Sequence, residues 1–199
     1  MELGKIERPK VEEFTGKKKV YCVNHIFSSG RDEELKRLLD RYWQEIDAHL
    51  GRLELAGKVS KIFIEGLIPS TEDPLSPLKE VHERFYNLVK KRLEEGGRVV
   101  PIEEEDTFSA YVDLRNCLML VRNREVYRRL WEYYKEVAEK RLGVIRRKIE
   151  ESLEEGEAAL LVMEDTERSL LEFPDDFEVF LVVPPAYDDI LKWFRTGKT

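Results

Sequence analysis

Lys19-Val20-Tyr21-Cys22-Val23-Asn24-His25 is an apolar run that ends in an imidazole, and it opens onto Ile26-Phe27-Ser28-Ser29-Gly30. A second run, Lys61-Ile62-Phe63-Ile64-Glu65, ends in a carboxylate and opens onto Gly66. Short continuous apolar runs bounded by turn residues suit strands buried on both faces. Between the two, residues 31–56 carry Leu35, Leu38, Leu39, Tyr42, Trp43, Ile46, Leu50 and Leu53 at helical spacing. Strand, helix and strand in that order predict a βαβ unit, and with it a parallel sheet. Open parallel sheets bind ligands in the crevice beyond the carboxyl ends of their strands, so His25 and Glu65 mark where a site is expected.

The same alternation continues along the chain. A proline-rich loop from Pro69 to Pro77 is long enough to fold over a strand end, and a second helix is expected at 77–95, stopped by Gly96-Gly97. Arg98-Val99-Val100-Pro101-Ile102 reads as a third strand. Residues 107–154 are helical in pattern, with Asn123 and Gly143 as candidate breaks. A fourth strand is expected at 158–163 and a fifth at 177–183, followed by a short helix carrying Ile190, Leu191, Trp193 and Phe194. The Ser28-Ser29-Gly30 turn is expected to cap the first helix, with Asp32, Glu33 and Glu34 suiting its positive end, and Gly57 to end it. The predicted architecture is one α/β domain over 19–199, an open, mostly parallel sheet of about five strands with helices on both faces. A charged lead-in, 1–18, precedes it.

Length and composition agree with one globular domain: 199 residues, 42% of them hydrophobic. Charged residues reach 38%, mostly Glu, Lys and Arg, a composition that resembles thermophile proteins with surface ion-pair networks. A net charge of −7 argues against nucleic acid as a partner, because phosphate binding needs clustered positive charge. Lys17-Lys18-Lys19 reads as a strand flank, and Arg122, Arg124, Arg128 and Arg129 as the polar face of a helix. No apolar run approaches the length of a membrane span, and the polar start of the chain is no secretory signal, so a cytoplasmic protein with no membrane partner is expected. Cys22 and Cys117 both lie in apolar segments and are expected to pack as small hydrophobes, a Cys22–Cys117 disulfide being the alternative.

Five groups of polar residues could carry chemistry. His25, at a strand end, suits a metal ligand or a general base, or a buried imidazole bonded to the backbone. Glu65 follows three apolar residues, where an ionised carboxylate must be paired, hydrogen-bonded or metal-bound unless the chain leaves the sheet there. Glu103 holds the same place after the third strand, at the head of the acidic run to Asp106. Arg115 and Asn116 open an apolar helical stretch from which they could clamp an anion, with an Asp113–Arg115 or Arg115–Glu65 ion pair as the plain alternative. Glu164-Asp165 ends the fourth strand and offers further metal ligands or the start of a surface loop. His49 and His82 read as surface residues. The chain has no phosphate-binding loop, dinucleotide fingerprint, CxxC pair, HExxH or G-x-S-x-G elbow.

Taken in order, three of these segments resemble the TraB/Tiki, ChaN and erythromycin-esterase-like superfamily. Val23-Asn24-His25-Ile26-Phe27-Ser28-Ser29 resembles its GTxHxxxxS strand end, Ile62-Phe63-Ile64-Glu65 its V-x-V-E strand, and Arg115-Asn116-Cys117-Leu118-Met119 its RNxxM helix. Val23-Asn24 stands where the family has Gly-Thr. The family's second G-x-x-H is absent, and Met163-Glu164-Asp165-Thr166 stands near its place. The resemblance implies an α/β fold and, for some members, a hydrolytic or metal-dependent role.

Three functions follow as expectations. In a metal-dependent hydrolase, His25, Glu65 and an acid from Glu103, Glu164 or Asp165 would hold a divalent ion, and Arg115 with Asn116 would stabilise an oxyanion. In a non-enzymatic binding or regulatory module, the same crevice would take a small molecule or peptide anchored by Arg115. In an interaction protein, the aromatic stripe Tyr127, Trp131 and Tyr134, with Trp193-Phe194, would form a homodimer interface.

Overall fold

A computed structural model of the protein describes residues 16–26 and 32–196. Most of the expected lead-in and the Ser28-Ser29-Gly30 turn lie outside the described residues. Within them the chain forms five strands and seven helices. Their order is β1 (Lys18–Asn24), α1 (Glu33–Leu53), β2 (Val59–Ile64), α2 (Ser76–Val81), α3 (Glu83–Glu94), β3 (Arg98–Val99), α4 (Glu105–Leu120), α5 (Arg124–Ser152), β4 (Ala158–Met163), α6 (Asp165–Arg168), β5 (Phe177–Val182) and α7 (Pro185–Arg195).

All strand pairs are parallel, in the order β3-β2-β4-β1-β5. β4 therefore lies between β1 and β2, and the strand order reverses after β3. The expected open sheet with helices on both faces is what the chain builds. Side chains alternate between its faces with the period of two that a strand imposes. Tyr21, Val23, Ile62, Ile64, Leu160 and Val162 pack with α1, α3 and α7, whereas Val20, Cys22, Phe63, Leu161 and Met163 pack against Ile145 and Ile149 of α5.

Local chemistry sets the boundaries. Asp32, rather than the earlier serine turn, caps α1: its carboxylate accepts the N–H groups of Glu34 at 2.8 Å and Leu35 at 2.9 Å. α1 ends at Leu53, short of Gly57, with Glu54 as its C-cap. The single helix expected at 77–95 is two, because His82 takes an extended backbone and its Nδ1 accepts the N–H of Arg84. That histidine, read as a surface residue, is thus a helix cap. β3 is only two residues long; Val100 still donates to the Ile62 carbonyl, but Pro101 has no N–H with which to continue the ladder. Asn123 is a true break and caps α5 through Glu125 and Val126, whereas Gly143 sits inside that helix without interrupting it.

The lysine cluster before β1 is a paired strand flank, with Lys17 on Glu178 at 2.8 Å and Lys18 on Asp176 at 3.2 Å. Both cysteines are free thiols. Cys22 is buried as expected, but Cys117 is exposed, because it faces away from the contact between α4 and α5. No described helix is long and apolar enough to cross a membrane.

Candidate functional site

The carboxyl ends of β1, β2 and β4 converge below a cavity of about 540 Å³. β1 delivers His25, whose backbone N–H donates to the Met163 carbonyl at 2.9 Å and so holds the residue against β4. β2 delivers Glu65, whose N–H donates to Val162 at 2.9 Å. Gly66 then turns the chain out of the sheet with φ of +82°, a conformation that strains any side chain. The proline-rich loop does fold over this end: Thr71, Pro74 and Pro77 line the cavity beside Leu67 and Leu78. α4 closes the other side with Phe108, Tyr111, Val112, Arg115 and Asn116. His25, Glu65, Arg115 and Asn116, far apart in the chain, therefore share one cavity whose walls are mostly apolar.

His25 is buried, and burial lowers its pKa from the ordinary 6.5 to about 4, so the imidazole is neutral at physiological pH. Its ring lies 5.6 Å from that of Phe85. Burial pushes the Glu65 carboxyl above its ordinary range, against the opposing pull of the Glu164 N–H and of Arg141. Arg115 is half-exposed and meets Glu164 at 3.2 Å, not Glu65 or Asp113.

Arg141 is the residue that sequence reading misses. It lies on α5, is 1% exposed, and forks onto Glu103 through Nε at 3.0 Å and Nη2 at 2.6 Å. The same Nη2 reaches Glu65 at 2.9 Å, and Nη1 reaches Glu167 at 3.4 Å. Its guanidinium carbon stands 4.3 Å from the Tyr111 ring centroid and 5.4 Å from that of Phe108. Burial alone would lower its pKa, but the hydrogen bonds and charges of Glu103 and Glu65 outweigh that and raise it, so the group is a permanent cation. Glu103, unlike the exposed acids after it, is fully buried, and it also accepts the Gly66 N–H at 3.1 Å. Glu167, on the short helix after β4, accepts the Tyr111 hydroxyl at 2.9 Å.

The expected metal ligands do not come together as a metal centre. Among the described residues no group of three or more His, Cys, Asp or Glu side chains is placed to hold an ion. Each of the four acids faces an arginine instead: Glu65 and Glu103 face Arg141, Glu164 faces Arg115, and Asp165 faces Arg168. As arranged, both oxygens of Glu65 and both of Glu103 are engaged by guanidinium and backbone N–H groups rather than open to a cation.

Comparison of the chain with family models, curated proteins and solved structures gives no match. The resemblance to the TraB/Tiki, ChaN and erythromycin-esterase-like group therefore rests on its short motifs.

Proposed function

We propose that the strand-end crevice is a small-molecule binding site for a ligand with an apolar body and one anionic or carbonyl end. The observation that carries this reading is the cavity itself. Its volume suits a small ligand, its walls are apolar, and its few polar groups converge at the strand ends. Arg115 supplies the anchor. Its pair with Glu164 is solvent-exposed, and such pairs contribute only about 0–1 kcal/mol, so the guanidinium can exchange that partner for a ligand carboxylate at small cost. The test is a thermal-shift series with straight-chain carboxylates from acetate to dodecanoate and the matching alcohols. A ligand at about a hundred times its Kd stabilises by roughly 2.7 kcal/mol, or about 5–10 °C for a chain of this size. Shifts that grow with chain length and collapse in Arg115→Ala support the reading. A flat response to every carboxylate at millimolar concentration contradicts it.

A hydrolytic reading is favoured by one observation, the neutral imidazole of His25 in the same cavity as Arg115 and Asn116. In that reading His25 takes a proton from water as its oxygen attacks an ester carbonyl, and Arg115 and Asn116 donate to the oxyanion. Collapse of the adduct breaks the acyl–oxygen bond while the imidazolium returns the proton to the leaving alkoxide. Ester turnover that is abolished in His25→Gln, with carboxylate binding retained, would separate it from binding alone.

Self-association has its own support at the far end of the α4–α5 hairpin, where Met119, Leu120, Tyr127 and Trp131 are exposed. A second copy is the proposed partner, and a monomer by light scattering at 100 μM would remove the idea.

A further inference from the structure

The chain places three carboxylates, those of Glu65, Glu103 and Glu167, around one buried point. All six of their oxygens are engaged. Glu65 accepts from Arg141 and from the Glu164 N–H at 2.6 Å; Glu103 accepts from Arg141 through both oxygens and from Gly66; Glu167 accepts from Arg141 and from Tyr111. Three carboxylates converging on one buried point form an anionic cage that needs a cation at its centre. Here the centre of that cage is a guanidinium.

We propose that Arg141 is the resident cation of this site. It holds Glu65, Glu103 and Glu167 where a divalent ion would otherwise be needed, and its removal uncovers a site for one. Two features fit a guanidinium and not a metal. The planar fork meets Glu103 through two parallel N–H groups, the geometry in which arginine binds a carboxylate. The rings of Tyr111 and Phe108 also cover the cation, an apolar contact that suits a weakly hydrated planar ion. Lys148, reaching the backbone carbonyl of Glu103, adds a second positive charge nearby. With one guanidinium for three carboxylates, emptying the centre leaves an anionic cage with strong demand for a replacement cation.

The consequence for the crevice is that Glu65 reaches the cavity wall already positioned by Arg141 and the Glu164 N–H. Arg141 is a positioning residue in this arrangement, acting through Glu65 and Glu103.

The test uses the full chain, wild type and Arg141→Ala, each stripped with chelator and then titrated with manganese(II) or, separately, with guanidinium at about 10 mM, far below denaturing concentration. Wild type is expected to show a Tm change under about 1 °C with either probe, and no manganese binding by calorimetry. Arg141→Ala is expected to gain several degrees with guanidinium and to bind one manganese ion, binding that is lost when Glu103→Gln is added. A stoichiometric divalent ion bound by wild type, and lost in Glu65→Gln or Glu103→Gln, overturns the proposal. So does an Arg141→Ala protein that responds to neither probe. If that variant fails to fold, refolding with guanidinium decides: recovered native protein supports the proposal and continued failure overturns it.

Discussion

Replacing Arg141 by methionine removes the charge but keeps much of the side-chain volume, so the cost falls on the carboxylates left behind. Breaking a buried ion pair from one side costs about 3–5 kcal/mol, because the remaining charge is stranded in a poor solvent. Glu103 is the worst placed, being wholly buried and doubly bonded to Arg141. The loss of the cation from over the Tyr111 and Phe108 rings adds about 0.5–2 kcal/mol. At about 2–4 °C per kcal/mol for a chain of this length, the melting temperature should fall by roughly 7–28 °C at neutral pH. The fall should also depend on pH. The folded Glu65 carboxyl already has a raised pKa, so its contribution is favourable below the unfolded value and is lost as pH rises through the folded one. Removing Arg141 takes away one of the interactions that hold the Glu65 carboxyl down, raising it further, so the variant loses more stability at pH 8 than at pH 5. Calorimetric melts of both proteins at pH 5, 6.5 and 8 measure this. A difference that is the same at all three values would show that Arg141 acts by packing alone, and a fall below about 3 °C would refute the charge argument altogether.

Three further outcomes are expected. The His25 imidazole, with its pKa lowered from 6.5 to about 4, favours folding fully above pH 6.5 and loses that contribution as pH falls towards 4; at 1.36 kcal/mol per pH unit this is about 3 kcal/mol. Proton NMR should find its ring signals titrating near pH 4, and titration near 6.5 would disprove its burial. Gly66→Ala forces a side chain onto a φ of +82°, with its new carbon 3.4 Å from Phe108, and should cost about 1–2 kcal/mol in urea denaturation; an unchanged midpoint would show that the turn is not held. Of the two free thiols, Cys117 should react with a disulfide reagent in the native protein and Cys22 only after unfolding, since burial pushes the latter up to about 12. Two fast-reacting thiols would contradict the packing of β1.

The fold was legible because its signals are local. Apolar runs ending at His25 and Glu65, and helical stripes such as Leu35, Leu39, Tyr42 and Ile46, each announce one element, and short connections leave a parallel sheet as the economical assembly. The same logic found that His25, Glu65, Arg115 and Asn116 share a crevice. Pairing partners were less accessible, because which arginine meets which acid depends on helix placement. Arg115 was open to pairing with Glu65 or Asp113 and instead meets Glu164, because α5 brings Arg141 to Glu65 first. Arg141 did leave a trace: Val137, Arg141 and Ile145 are four residues apart, so a cation sits on the apolar stripe of α5. In the basic sequence around Lys140 and Arg146 that one charge does not stand out. His82 was misread for a similar reason, since a capping role shows only once the chain is seen to turn there.

The most direct measurement is a titration of the isotopically labelled full chain with decanoate, followed by amide and methyl NMR. Shifts centred on Leu67, Leu78, Val112 and His25, reduced at least tenfold in affinity by Arg115→Ala, are expected if the strand-end crevice is the ligand site. Saturable binding that perturbs only residues away from this cavity, or no binding at millimolar ligand, would contradict it.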